Sequence, residues 1–270
     1  MESVPKSSVR KNAVPNDAVP NDAVPENSVP RIAGPEIAVS ENGVPGNGLP
    51  RRSEPTAPDA GRLDWIREQI AAERRELAEV FAALAPEQWN APSLCEGWRV
   101  REVVAHMSTG FRHSTARTLL ELGRSGGNVH RMADRIARRD AAALTVRELA
   151  STLAEHADHP WRPPVGGRIA ALAHDAVHGL DITVALGLPA RLPVARTTAL
   201  LDAVTPRSLR FFGARLDGVR LVATDADWSY GQGPVTVEGR AEHLLLVTYG
   251  RRVPEGLLAG SGAGRFALGG

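Results

Sequence analysis

Two histidines, His174 and His178, lie four positions apart in the stretch HDAVHGLDITVALGLP. On an α-helix this spacing brings both imidazoles to the same face, one turn apart. Imidazole binds zinc and similar divalent ions through a neutral nitrogen, and a third ligand from another helix would leave coordination positions open. The pair is therefore a candidate for two ligands of a metal site.

His106, at the edge of an apolar stripe on an earlier helix, is the best candidate for the third ligand. The alternative is that each of the three is a core histidine with an ordinary hydrogen bond and no metal. Burying an imidazole without a partner costs desolvation energy, and metal ligation is one way to provide a buried imidazole with a partner. Both interpretations stay open on these residues alone.

Neighbouring residues could complete or close such a site. Asp181 follows His178 by three positions and could orient its imidazole, or it could be solvated on the helix surface. A fourth ligand from His113 or Asp181 would indicate a closed, structural site. Cys95 is either a soft ligand or a packing residue beside Trp98. The sequence has no Ser-His-Asp signature, Walker loop or dinucleotide fingerprint, so it does not indicate ATP chemistry.

The elements that must position these residues are helical. Apolar periodicity predicts helices over 63–84, 99–123, about 130–142, 145–158 and 168–186. Thr145 and Glu148 form a capping-box pattern, and Gly123 is expected to end the second helix. The helix at 168–186 is apolar nearly all round, so we expect it deep in the bundle.

After residue 190 the pattern changes. A further helix is predicted over 193–213, followed by two extended runs within 218–239 and a helical segment at 240–252. We therefore predict an α+β protein with a helical bundle at 59–190 and a small α+β domain at 191–270.

Residues 1–58 contain a pentapeptide array, for example AVPND AVPND AVPEN, and eight of the ten pentads from Ser3 to Arg52 have proline in the third place. Regular prolines and few large apolar side chains predict a disordered tail. It could be a tether or recognition array, a neutral repeat expansion, or a start codon assigned too early.

The charge balance excludes some partners. Lys and Arg total 32 against 31 for Asp and Glu, so no whole-protein field would attract nucleic acid or an anionic membrane. No run approaches the roughly 18 to 20 apolar residues of a membrane span. The single cysteine, Cys95, excludes an internal disulfide and fits a reducing compartment. We expect a cytoplasmic protein.

Three segments together resemble the mycothiol-dependent maleylpyruvate isomerase family, a branch of the DinB-like four-helix bundles. They are PSLCEGWRVREVVAHM, HDAVHGLDITVALGLP and VRLVATDADWSYGQGPVTVEGRAEHLLLVTYGRR, and the similarity covers about 60–265. It implies a four-helix bundle that holds a divalent metal, usually zinc, followed by a small α+β domain similar to sterol-carrier folds.

The resemblance also implies site residues. It places the metal ligands at His106, His174 and His178, where His174 stands in place of the family's glutamate. A neutral imidazole there raises the net charge of the site by one and makes the metal a stronger Lewis acid. The family's arginine that engages the anionic substrate or the thiol cofactor corresponds to Arg251 or its neighbour Arg252, and a helix-capping role for Arg251 is the alternative.

These implications define the expected function. It is a metal-dependent enzyme that uses a low-molecular-weight thiol, expected to be mycothiol, for thiol transfer to a small electrophile or for its cis-trans isomerisation. The alternative is a non-catalytic, metal-containing protein that binds a ligand or a partner.

Overall fold

The computed structural model describes residues 57–269, with side chains from residue 61 onward. The predicted tail therefore lies almost entirely outside the described residues. The helices are α1 (Ala57–Ala82), α2 (Val100–Arg112), α3 (Thr115–Arg124), α4 (Val129–Ala143), α5 (Val146–Glu155), α6 (Gly167–Thr183), α7 (Val194–Asp202), α8 (Pro206–Phe211) and α9 (Ala241–Thr248). The strands are β1 (Val219–Ala223), β2 (Ser229–Tyr230), β3 (Val235–Gly239) and β4 (Leu258–Ala259).

Helices α1, α2, α5 and α6 pack against one another as a four-helix bundle, and α4 covers the outer side of α2. Their apolar stripes meet in a core of fully buried side chains, which includes Leu77, Val103, Met107, Leu153 and Ile182. Burying a side chain of this size stabilises the fold by about 1.5 to 3 kcal/mol. The predicted helical bundle is confirmed.

The prediction of one continuous helix over 99–123 is wrong, because α2 ends at Arg112 and a separate helix, α3, follows. His113 is extended, and the Ser114 hydroxyl caps α3 by accepting the backbone N–H of Arg117. A serine side chain that satisfies a free N–H favours a new helix start over continuation. Gly123 does not end the second helix either, since it lies inside α3.

The other bundle predictions hold closely. Thr145 and Glu148 form the expected capping box at the start of α5. The helix predicted over 168–186 is α6, which ends at Thr183, and most of its residues are buried. Because α6 contacts α1, α2, α7 and α9, its apolar character around the wheel matches its central position.

The C-terminal part is α+β, as predicted, with more elements than the pattern indicated. The single helix expected over 193–213 is split into α7 and α8, since Thr205 caps α8 and Pro206 occupies its first turn. Three strands, where two extended runs were expected, lie in 218–239. The sheet order is β2-β1-β3-β4, with β1 and β3 parallel and in register from Val219↔Val235 to Ala223↔Gly239.

One hydrophobic cluster joins α1 and α6 to the sheet and α9, and it includes Ile70, Leu180, Leu200, Leu221 and Leu245. The described residues belong to one compact unit, so a division into two domains at residue 190 stays a prediction. Within the described part of the chain, no helix combines the length and hydropathy needed to cross a membrane.

Candidate metal site

The packing of α2 against α6 brings the three predicted histidines together. His106 comes from α2, while His174 and His178 leave one face of α6. Their ring centroids are 4.8 to 5.2 Å apart, and one possible ligand atom from each lies within 4.8 Å of the other two. The Nε2 atoms of His106 and His174 are 3.3 Å apart. The trio could therefore hold a metal ion through three imidazoles.

Two carboxylates orient the imidazoles of α6. Asp175 Oδ1 lies 2.9 Å from His174 Nδ1, and Asp181 Oδ2 lies 3.0 Å from His178 Nδ1. A carboxylate can only accept a hydrogen bond, so the δ nitrogen is the donor in each pair. The lone pair of each neutral ring is then on Nε2, the atom left for a ligand.

The electrostatic environment favours neutral rings. Burial, together with the neighbouring imidazoles, lowers the pKa of His106 well below its usual value. Burial also lowers the pKa of His178, and it outweighs the opposing hydrogen bond from Asp181. Neutral imidazole is the form that binds a metal ion, so these histidines need lose no proton to do so near neutral pH.

Hydrogen bonds account for most but not all nitrogens of the trio. Because His174 donates from Nδ1, its Nε2 would accept a hydrogen bond from His106 Nε2 in the absence of a metal. His106 Nδ1 is buried and has no hydrogen-bond partner among the residues that the structure describes. An interpretation without metal requires a partner for every imidazole nitrogen that is buried. Imidazole nitrogens are good ligands for zinc and similar ions, so the donor set fits a divalent cation.

Asp181 is the centre of a second group of contacts beside His178. Arg251 donates two hydrogen bonds to it, from Nε to Oδ1 at 2.8 Å and from Nη2 to Oδ2 at 3.0 Å. Cys95 Sγ donates to Asp181 Oδ2 at 2.9 Å. Burial raises the pKa of Asp181, but Arg251 and His178 outweigh it and the net pKa is lowered. Asp181 is thus an anionic partner of His178 and is not solvated on the helix surface.

Arg251 lies next to the trio, and its guanidinium donates hydrogen bonds to other groups of the protein. Besides its two bonds to Asp181, it donates from Nη1 to the backbone oxygen of Tyr249 at 3.2 Å. Its side chain as a whole is 24% exposed. The predicted contact between Arg251 and a substrate stays a prediction.

Cys95 lies directly beside the candidate metal site, in contact with His178 and Asp181. With His178 and Asp181 it forms a second group whose ligand atoms lie within metal-binding distance of one another. Burial, followed by the nearby Asp181, raises the pKa of the thiol well above its usual value. A single cysteine carries no spacing signal, so sequence reasoning could not select between ligand and packing residue.

Both proposed fourth ligands of the trio have other partners. His113 Nε2 lies 2.6 Å from Asp140 Oδ2, and Asp181 is held by Arg251, Cys95 and His178 Nδ1. The side chains of His174 and His178 keep 14% and 13% of their surface exposed. The two histidines of α6 are therefore partly exposed.

Two tryptophans flank the histidines. The ring centroid of Trp98 lies 5.1 Å from that of His106, and Trp161 lies 5.1 Å from His174. Gly110 on α2 makes room for Trp161, since a Cβ at this position would come within 2.2 Å of the indole ring. These apolar walls limit the water around the imidazoles.

Comparison with known proteins agrees with the sequence motifs. Residues 70–183 match the profile of the mycothiol maleylpyruvate isomerase N-terminal domain. Two solved structures are similar: a mycothiol-dependent maleylpyruvate isomerase and a histidine-to-alanine variant of it. They share 16% and 15% sequence identity, with TM-scores of 0.41 and 0.42, and each alignment covers 74% of this chain and 93% of theirs. A comparison with curated proteins gave no match.

The matched segment begins within α1, includes α2 to α6 and contains all three histidines. Residues 70–183 of this chain are therefore similar to the mycothiol maleylpyruvate isomerase N-terminal domain.

Proposed function

We propose that this protein is a metal-dependent enzyme that uses a low-molecular-weight thiol, with mycothiol as the expected cosubstrate. The observation that carries the proposal is the trio of His106, His174 and His178, whose possible ligand nitrogens lie within 4.8 Å of one another. The side chains of His174 and His178 are partly exposed. These residues would hold a divalent cation such as zinc. When bound, the cation would lower the pKa of a coordinated thiol and supply thiolate at neutral pH.

The reactive thiol must come from outside the protein. Cys95 is the only cysteine, and its raised pKa keeps it protonated while it donates to Asp181. A protonated thiol is a poor nucleophile. Cys95 therefore supports the site without supplying the attacking sulfur, and its presence as a free thiol fits a cytoplasmic setting.

The remaining residues bind and shield the reactants. Asp181 holds the His178 ring, Arg251 holds Asp181, and Trp98 and Trp161 exclude water from two sides. Arg251, which lies beside the trio, would steady a carboxylate of the electrophilic substrate through its guanidinium. The reaction is addition of the thiol sulfur to a small electrophile. It ends either as the thiol adduct or, after rotation about the former double bond and elimination of the thiol, as the cis-trans isomer.

The alternative is a non-catalytic metal protein that binds a ligand or partner. It would be favoured by a fourth protein ligand closing the site. His113 and Asp181 are engaged elsewhere, and the two histidines of α6 are partly exposed, so the open arrangement favours an enzyme.

Metal analysis and a thiol panel together test the proposal. The purified protein should contain close to one equivalent of a divalent metal, and His178→Ala should lose it. His243→Ala is the matched control, because His243 is also buried but lies on α9 and contacts Leu257. Unchanged metal content in His178→Ala would refute the site.

The enzymatic part is tested with mycothiol, bacillithiol and glutathione against maleylpyruvate and other small electrophiles. We expect a rate that falls to background after chelation and returns when zinc is added. The absence of any metal-dependent rate with all three thiols would leave only the binding-protein alternative.

A further inference from the structure

A buried arginine of α1 lies directly behind one of the candidate metal ligands. Arg74 Nε donates to Asp175 Oδ2 at 2.8 Å, and Asp175 Oδ1 accepts from His174 Nδ1 at 2.9 Å. The side chains of Arg74 and Asp175 have 0% exposure. We propose that Arg74 and Asp175 are positioning residues that fix the ring orientation and the tautomer of His174 for metal binding. This inference rests on the proposed function of the trio.

The guanidinium of Arg74 is itself held in one place. Its Nη1 donates to the backbone oxygens of Ala157 at 3.2 Å and His159 at 2.8 Å, in the segment that follows α5. Its Cζ lies 4.6 Å from the ring centroid of Phe111 on α2. Groups from three parts of the bundle thus fix the planar guanidinium of Arg74. The guanidinium in turn fixes the carboxylate of Asp175.

The orientation of the carboxylate determines which nitrogen of His174 is free. One oxygen of Asp175 faces Arg74, so the other is directed at His174 Nδ1. A carboxylate oxygen can only accept a hydrogen bond, so Nδ1 carries the hydrogen. His174 Nε2 then carries the lone pair, and it faces His106 Nε2 at 3.3 Å. Removing such a carboxylate from a metal-bound histidine typically weakens metal affinity by about 10- to 100-fold.

A purely structural ion pair would behave differently, and the chain contains one for comparison. Glu73 and Arg196 are also buried, at 0% and 3% exposure, and they join α1 to α7. Their other charged partners are Arg191 and Glu76, so this pair is not part of the histidine site. Breaking either pair leaves a buried charge and destabilises the fold. Only the loss of Asp175 should change metal affinity.

The experiment compares Asp175→Asn with Glu73→Gln in chelator-treated protein. Zinc dissociation constants are measured by competition with a chromophoric chelator, and urea unfolding is measured in parallel. An asparagine has one oxygen and one NH₂ group, so it cannot accept from both Arg74 and His174. We expect both variants to unfold at lower urea concentration. Asp175→Asn should bind zinc about 10- to 100-fold more weakly, while Glu73→Gln keeps wild-type affinity.

A second measurement shows whether Asp175 acts through His174. In a His174→Ala background, the weak residual zinc affinity, measured at raised zinc concentration, should not fall further on Asp175→Asn, because the ring that Asp175 positions is gone. The visible spectrum of bound Co²⁺ should also change in the Asp175→Asn single variant and stay unchanged in Glu73→Gln.

The outcomes separate this inference from the proposed function. Unchanged zinc affinity in folded Asp175→Asn overturns the positioning role and leaves the metal site intact, whereas a wild-type protein that binds no zinc overturns both. If Asp175→Asn does not fold, ¹⁵N NMR of the wild-type His174 ring decides. A protonated Nδ1 supports the inference, and an unprotonated Nδ1 overturns it.

Discussion

His106 and His174 are 68 positions apart in the chain, yet their Nε2 atoms lie 3.3 Å from each other. The contact exists because α2 and α6 pack side by side and because Asp175 directs the proton of His174 to the opposite nitrogen. Two imidazole nitrogens that face each other at this distance are poised to share a proton or a cation. The predictions below test the packing and the charges that maintain this arrangement.

The first prediction concerns His106 itself. His106→Ala should abolish stoichiometric zinc binding, because two imidazoles and water hold zinc much more weakly than three imidazoles. Equilibrium dialysis with metal analysis measures the effect. His113→Ala is the matched control on the same part of the chain, since His113 pairs with Asp140. Equal zinc content in both variants would contradict the ligand assignment.

The second prediction tests the close approach of Trp161 to α2. Gly110→Ala would place its Cβ 2.2 Å from the indole of Trp161, so the ring must move away from its position beside His174. Overpacking of this kind costs about 1 to 3 kcal/mol of stability, measured by urea unfolding with tryptophan fluorescence.

Gly123 provides the control for this substitution. It lies in α3, and a Cβ there meets nothing within 4 Å. Gly123→Ala should stabilise the protein by up to about 1 kcal/mol through the higher helix propensity of alanine. Similar effects of the two substitutions would rule out the packing explanation.

The third prediction concerns the anchoring of Asp181. Arg251→Gln removes both donors from a carboxylate whose side chain is 0% exposed. Leaving a buried charge without its partner costs about 3 to 5 kcal/mol, so the urea midpoint should fall markedly. Arg75→Gln breaks an ion pair with Asp158 in which both side chains are more than half exposed, and it should cost less than about 1 kcal/mol. A mild effect for Arg251→Gln would show that water replaces the guanidinium.

The fourth prediction concerns the pH dependence of stability through His243. Burial lowers the pKa of His243 in the folded protein, so below pH about 6.5 the unfolded chain takes up a proton that the folded chain does not. Stability from this residue is thus present above the unfolded pKa and is lost as pH falls towards the folded pKa. Its contribution to the slope is at most about 1.4 kcal/mol per pH unit.

Urea unfolding at pH 7.5 and pH 5.5 measures this difference. The free energy of unfolding should fall less between the two values in His243→Gln than in the wild type. The other histidines are common to both proteins, so the comparison isolates His243. Equal losses in the two proteins would mean that His243 titrates normally in the folded state.

Local patterns accounted for much of the bundle. The apolar stripe of α1, the capping box of Thr145 and Glu148, and the i,i+4 spacing on α6 each depend on residues close in the chain. The helix ends before Ser114 and before Pro206 do not follow from periodicity, because a helical apolar pattern runs across both positions. At these two places the capping residues outweigh the apolar pattern.

The partners of the candidate ligands could not be predicted in the same way. Arg74 lies 101 positions from Asp175, and Arg251 lies 70 positions from Asp181. No sequence period links such pairs, and each carboxylate on α6 has several neighbours that it could face. The role of Cys95 depends equally on the loop before α2 meeting Asp181.

The sequence by itself determined the helices, the α+β order and the two histidines that share one helix face, because hydrophobic periodicity and helix geometry act over a few residues. Only the tertiary structure decided that His106 meets this pair, that Asp175 and Asp181 face inward, and that Arg74 and Arg251 hold them. The physical reason is that buried charges and imidazoles take their partners from whichever elements the packing of the core brings within hydrogen-bond distance.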